Sequence, residues 1–330
     1  MQPGYSRRYA IEFTGSGREY FNIWIVNLLL SVLTLGIYSA WAKVRRLQYF
    51  YRNTRIADAS FEYHGLPMAI LKGRIIAFII LMLYSLAGRY NLLLGLAAAA
   101  LIGLVMPWLI VRSLRFKLHY SSYRGLRFAF VGSDKAAYRV FLLNPILAAI
   151  TVYLLVPFAH QRIKQYQHRN SKFGNTFFTF GATVGSFYRV YLKALLAALL
   201  LGILVVFLAK LFMLRFIVFL IPVIFICIAV YMAVALPNLI WNATGLGDHA
   251  FYCNLRMRPY LWIGFTNLLG IIVTLGLFVP FAQVRMLRYK LECMGLIGMG
   301  DLAGFVAGQT QEVSALGQET SEIFNMDISL

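Results

Sequence analysis

Three Arg–Tyr pairs carry the most specific chemistry in this chain of 330 residues: Arg45 with Tyr49, Arg162 with Tyr166, and Arg285 with Tyr289. A four-residue spacing sets both side chains on one face of a helix. A guanidinium holds phosphate through paired hydrogen bonds, so each pair is expected to form an anionic headgroup site at a membrane–water boundary. The plainer role for the same residues is anchoring, because basic and aromatic side chains both favour that boundary. Asn27, Asn144 and Asn267 precede the pairs at matching positions, as do Thr34, Thr151 and Thr274. Neutral polar groups in apolar helices hydrogen-bond to neighbouring helices. These six are expected to make intramembrane polar contacts, either between helices or as a ring that touches a ligand.

Little else in the chain suggests chemistry. The five histidines, His64, His119, His160, His168 and His249, include no pair three or four residues apart, the spacing that sets two ligands on one helix face. Cys227, Cys253 and Cys293 are isolated and form no metal or disulfide pattern. Phosphate-loop, nucleophile-elbow and zinc-protease motifs are missing. Only Glu12, Glu19, Asp58, Glu62, Asp134 and Asp248 precede residue 292, and no catalytic carboxylate pair stands out among them. No catalytic residue, metal or cofactor is expected, and an enzyme is the weakest of the available functions.

The elements that must position these residues form a repeat. Asn27, Thr34, Trp41-Ala42, Arg45 and Tyr49 return 117 residues later as Asn144, Thr151, Phe158-Ala159, Arg162 and Tyr166. They return after a further 123 residues as Asn267, Thr274, Phe281-Ala282, Arg285 and Tyr289. A repeat of this kind governs the architecture. It divides the chain into unit 1 over residues 9–125, unit 2 over 126–248, a truncated unit 3 over 249–294, and a flexible acidic tail over 295–330.

Composition gives the class. Hydrophobic residues make up 60% of the chain and charged residues 13%, against about 25% charged in soluble domains. Segments near the ~20 residues needed to cross a bilayer are Phe21–Trp41, Ala69–Ala87, Leu92–Val111, Tyr138–Phe158, Val190–Ala209, Phe212–Leu236 and Leu261–Phe281. Met1–Phe13 is polar, so the first apolar segment is expected to act as an uncleaved targeting signal. Residues 1–291 hold 31 basic and 6 acidic side chains. In an apolar chain this balance points to anionic membrane lipids as partners and not to nucleic acid.

Two topologies fit these segments. Seven alternating spans would invert unit 2 relative to unit 1, as in many transporters. Alternatively, the three motif-bearing segments are re-entrant or bent, with breaks at Thr34-Leu35-Gly36, at Pro145 and Pro157, and at Gly276 with Pro280, and return to the face they left. Four true spans then remain, in two hairpins, and every strongly basic connector lies on one side, which the charge distribution favours. Short alternating stretches sit between the apolar segments: Ile11–Ser16, Ser60–Gly65, Phe128–Ser133, Phe177–Gly181 and Phe116–Tyr120. They read as strands. Open strand edges cannot lie in lipid, so these form a small cap outside the bilayer. The expected fold is an all-α polytopic membrane protein with internal pseudo-repeats and a small extramembrane β-rich cap.

The run Phe13-Thr14-Gly15-Ser16-Gly17, Tyr20-Phe21, Trp24, Asn27, Thr34-Leu35-Gly36-Ile37-Tyr38-Ser39-Ala40-Trp41-Ala42-Lys43-Val44-Arg45, Asn53-Thr54 and Phe61-Glu62-Tyr63-His64-Gly65 resembles the YjgN family of bacterial inner-membrane proteins. The resemblance extends over about residues 10–290 and is strongest in unit 1. Unit 2 departs from it at Phe158 and Tyr153, and unit 3 at Cys293-Met294. It implies a multi-pass protein of the bacterial inner membrane and supplies no catalytic residues. The expected function is to bind or pass an amphipathic, anionic, lipid-like molecule at a basic cytoplasmic interface. The alternative is a structural or assembly role, with the cap or acidic tail docking a partner.

Overall fold

Strands and helical hairpins alternate along the chain in a fixed rhythm. The computed structural model describes residues 6–212, 221–299, 302 and 304–311. Strand β1 (Ser6–Phe13) leads into α1 (Gly17–Leu33) and α2 (Ser39–Arg52), then β2 (Thr54–Ile56) and β3 (Ala59–Tyr63). Helices α3 (Pro67–Tyr90) and α4 (Leu92–His119) precede β4 (Ser121–Tyr123) and β5 (Leu126–Phe130). The next hairpin has a first arm of α5 (Asp134–Tyr138), a π turn (Arg139–Leu143) and α6 (Asn144–Ile150), and a second arm, α7 (Val156–Arg169). After β6 (Ser171–Phe173) and β7 (Thr176–Phe180) come α8 (Val184–Phe212) and α9 (Ile221–Trp241). Strands β8 (Thr244–Leu246) and β9 (His249–Cys253), helices α10 (Met257–Val273) and α11 (Val279–Glu292), and β10 (Met294–Met299) complete the series.

All ten strands close into one antiparallel barrel, in the order β1-β10-β9-β8-β7-β6-β5-β4-β3-β2. This corrects the expected fold class: the β structure is a closed barrel and not a small cap on an all-α protein. Closure removes every free strand edge. The β expectation fell short because β2, β4, β6 and β8 are three residues each, too short to show an alternating pattern. A second correction concerns Phe116–Tyr120. Its residues finish and cap α4, with the Tyr120 N–H bonded to the Phe116 carbonyl at 3.2 Å.

Alternation decides which side chains enter the barrel. Tyr9, Ile11 and Phe13 of β1 are buried, while Arg8, Ala10 and Glu12 are exposed. Phe61, Phe128, Phe178 and Phe251 form a run around the inner wall, with successive ring centroids 6.4, 6.4 and 6.1 Å apart. The mouth bearing the tight turns is filled from the C-terminal side. Leu302 and Val306, the latter in a helix over 304–311, are buried against Tyr9, Tyr123, Leu126 and Phe173. Gln309 Oε1 accepts from the Asn175 N–H in the β6–β7 turn at 2.9 Å. Residues 295–299, placed by sequence in the tail, are therefore barrel strand, while 312–330 lie outside the described residues.

Antiparallel pairing has a topological consequence. The tight turns β2–β3, β4–β5, β6–β7 and β8–β9 all lie on one rim, and every helical hairpin leaves from and returns to the other. The hairpins pack side by side in a ring: α2 against α3, α4 against α5, α7 against α8, α9 against α10, and α11 against α1. Among the described residues, α3, α4, α8 and α9 are long and apolar enough to cross a membrane.

The other three hairpins, α1–α2, α5–α7 and α10–α11, contain the motif-bearing segments Phe21–Trp41, Tyr138–Phe158 and Leu261–Phe281, each broken between its two arms. Their tips are apolar and bare, with Leu35 and Leu275 each 95% exposed and Val152 85% exposed. At about 1.5 Å per residue, the 17 residues of α1 reach about 25 Å, less than the ~30 Å hydrocarbon thickness.

Candidate functional site

The break in each motif-bearing hairpin is made by its threonine. Thr34 Oγ1 donates to the Leu30 carbonyl at 2.7 Å and accepts from the Tyr38 N–H at 2.9 Å. Thr274 does the same between Gly270 and Phe278, at 2.7 and 2.9 Å. Thr151 joins Leu147 to Leu155 at 2.9 and 3.3 Å. One hydroxyl thus ties the last turn of the first helix to the first N–H of the second. The chain reverses through positive φ at Leu35 and Gly36 (49° and 90°), Leu275 and Gly276 (49° and 96°), and Val152 and Tyr153 (49° and 64°). Tyr153 stands where the other two copies have glycine, the residue that takes this conformation without a steric penalty.

The three asparagines are buried inside the hairpins, on α1, α6 and α10. In the third copy Asn267 is fully engaged. Its Nδ2 donates to the Ala282 carbonyl at 3.2 Å, and its Oδ1 accepts from Arg285 Nη1 at 2.9 Å. Arg285 Nη2 also donates to Thr266 Oγ1 at 3.1 Å. The guanidinium is therefore clasped by its own hairpin.

The first copy has Val26 where the third has Thr266, and the clasp does not form. Arg45 turns over the Tyr38 ring, 5.8 Å from its centroid, and Asn27 Oδ1 is buried with no partner. In the second copy Arg162 lies 5.1 Å over the Phe158 ring and donates to Gln165 Oε1 at 3.0 Å.

The three tyrosines close the base of each hairpin. Tyr49 Oη donates to the Ser16 carbonyl at 2.8 Å, Tyr166 Oη to the Ser133 carbonyl at 3.0 Å, and Tyr289 Oη to the Arg256 carbonyl at 2.9 Å. Tyr49 also meets Glu19 Oε2 at 3.2 Å. Burial, and then the Glu19 charge, push its phenol up to about 12. These hydroxyls serve the fold.

A groove of about 480 Å³ runs between α1 and α2, lined by Asn22, Ile23, Arg45, Gln48, Tyr49 and Arg52 among others. Sequence reasoning missed Asn22, Gln48 and Arg52. Gln48 and Arg52 sit three and seven residues after Arg45, so helical spacing from the motif arginine was the signal that could have found them. A wider hollow of about 610 Å³ lies on the barrel wall beside Arg169, Thr179 and Gly245. Among the described residues, no three His, Cys, Asp or Glu side chains converge to hold a metal ion.

Comparison with known proteins places this architecture in a family. The inner membrane protein YjgN of Salmonella typhimurium is 30% identical over 152 residues, which span 46% of this chain and 38% of that protein. The protein of the same name from Escherichia coli is 29% identical over 148 residues, covering 43% and 36%. The match thus spans well under half the length of these relatives. No solved structure matches the chain. The family described as bacterial protein of unknown function (DUF898) matches residues 8–323. The chain therefore belongs to this YjgN-like family of multi-pass inner-membrane proteins.

Proposed function

We propose that the protein holds or passes an anionic amphiphile at a basic cytoplasmic face of the inner membrane, and that the α1–α2 groove is the binding site in unit 1. The observation that carries this is the unclasped Arg45. It lines an open groove with Arg52, whereas its counterpart Arg285 is consumed by Asn267 and Thr266. The anion is met by two guanidinium groups, and its acyl chains lie along Ile23 and Val26 on the apolar flank of α1. We treat residues 9–125, 126–248 and 249–294 as copies of one unit. The recurrence of the threonine tie and the tyrosine tie at each copy supports this.

Sidedness follows from charge. Barrel and helix bases carry most of the basic side chains, whereas Arg89 and Lys210 lie at the far ends of the spanning hairpins. The positive-inside rule then puts the barrel in the cytoplasm.

The test is the affinity of the purified protein in detergent for short-chain phosphatidylglycerol. Arg45→Gln is expected to weaken binding by about tenfold, the ~1.4 kcal/mol scale of a charge-assisted hydrogen bond. Arg285→Gln is expected to leave binding unchanged and to lower thermal stability. Equal effects of the two substitutions on binding would overturn the assignment of the groove.

A further inference from the structure

The ring of hairpins closes through contacts between the second arm of one hairpin and the first arm of the next. At two such junctions a neutral hydrogen bond does this. Tyr20 Oη of α1 donates to Gln283 Oε1 of α11 at 3.0 Å, and Tyr191 Oη of α8 pairs with His160 Nδ1 of α7 at 2.9 Å. The residue at the position of His160 and Gln283 in the first copy is Lys43, and the residue 117 before Tyr191 is Arg74. The α2–α3 junction thus places two cations where its counterparts place a hydroxyl and a neutral acceptor. Arg74 Nη1 donates to Ser39 Oγ of α2, which fixes the guanidinium across the junction.

No carboxylate offsets this group. Among the described residues the carboxylate ion pairs are Glu62 with His64 and Asp134 with Arg115. Two more cations stand close by: Arg46 one turn along α2, and Lys117 on α4. Desolvation, and then the charges of Arg74, Arg46 and Lys117, hold the Lys43 ammonium below the usual lysine range. Like charges gathered without a counter-ion are costly, and an anion seated among them removes that cost. The junction lies at the barrel end of the spanning hairpin α3–α4, at headgroup depth if α3 crosses the bilayer.

We infer that the α2–α3 junction, which brings together Lys43 of α2, Arg74 of α3 and the nearby Lys117 of α4, is a binding site for a phosphate group. It is separate from the α1–α2 groove. A phospholipid headgroup and a free phosphate ion share the required chemistry. The site deepens the proposed preference for anionic amphiphiles but does not depend on Arg45.

The full chain in neutral detergent is melted in the presence of inorganic phosphate or of phosphatidylglycerol, at constant ionic strength. The wild-type protein is expected to gain about 2 °C or more, as a ligand that binds only the folded state requires. Lys43→His with Arg74→Tyr installs the pair seen at the α7–α8 junction. This double variant is expected to fold, to match or exceed the wild type without added anion, and to lose the junction's share of the gain, keeping with phosphatidylglycerol at most the part that the α1–α2 groove supplies. Arg74→Lys keeps the charge and retains most of the gain. Arg45→Gln keeps the junction's share of the gain and loses at most the part of the phosphatidylglycerol gain that the α1–α2 groove supplies.

A gain with inorganic phosphate identifies a free-anion site. A gain with phosphatidylglycerol alone identifies a lipid site. The proposal fails if neither ligand shifts the wild-type protein, if the double variant keeps the gain undiminished, or if Arg45→Gln abolishes it. The last result would move the effect to the α1–α2 groove. Should the double variant misfold, Arg74→Gln alone must still lose most of the gain.

Discussion

At the scale of single residues, the threonines of the three motif-bearing hairpins are explained by the backbone they satisfy. Breaking a helix leaves carbonyls and N–H groups without partners, and in lipid no water replaces them. Thr34, Thr151 and Thr274 each fill one acceptor and one donor at the break. Replacing Thr34 by Val keeps the shape and strands the Tyr38 N–H. The expected cost is about 1–3 kcal/mol for an unsatisfied group, read as a lower midpoint in thermal unfolding, with Thr34→Ser close to wild type. A Val variant as stable as wild type would show that the hydroxyl is not the tie. The threonine recurrence was legible in sequence, but its partners were not: its bonds reach four residues each way, a local geometry that the surrounding apolar run conceals.

At the scale of elements, α7 illustrates how a ring of packed helices changes the chemistry of its members. His160 bonds Tyr191 of α8, while His168 stacks on Phe180 and reaches Thr244 at 3.3 Å. Burial first, and then the nearby Lys164 charge, lower both imidazoles to about 4. Between about pH 6.5 and 4 the unfolded chain therefore binds protons that the folded chain refuses. Stability is fully present above pH 6.5 and is lost as pH falls through this window. Melting followed by circular dichroism from pH 7 to pH 4 should show this decline, and His168→Gln should make it shallower. A flat profile in the wild-type protein would mean that these rings are solvated. Sequence gave no sign of either environment, because both depend on elements that only tertiary packing brings beside α7.

At the scale of the whole molecule, barrel closure dictates which side of the membrane each segment meets. Every hairpin begins and ends on one rim, so none can leave its connector on the opposite face. A single cysteine probed with a membrane-impermeant thiol reagent tests this directly, in a chain with Cys227, Cys253 and Cys293 replaced by Ala. Ala10→Cys, exposed on β1, should be protected in intact cells and react after the membrane is opened. Tyr90→Cys, at a position 91% exposed at the far tip of α3, should react in intact cells. Both residues reacting on the same side would break the hairpin topology. The reverse pattern would put the barrel outside the cytoplasm.

What the sequence determined by itself is local and compositional. Apolar length marked seven candidate segments, charge favoured four of them, α3, α4, α8 and α9, as spans, the constant offsets marked the recurring motif, and alternating aromatics marked β3, β5 and β7. Glycine and proline flagged the bends in the three shorter hairpins. The tertiary structure alone decided the rest. Three-residue strands have no pattern to read, and they become strands only when ten of them share one closed set of hydrogen bonds. The clasp on Arg285, the open groove at Arg45, and the meeting of Lys43 with Arg74 each join residues from different helices. Their chemistry is set by which neighbour faces them, a neighbour chosen by the fold of one hairpin in the first two cases and by the packing of adjacent hairpins in the third.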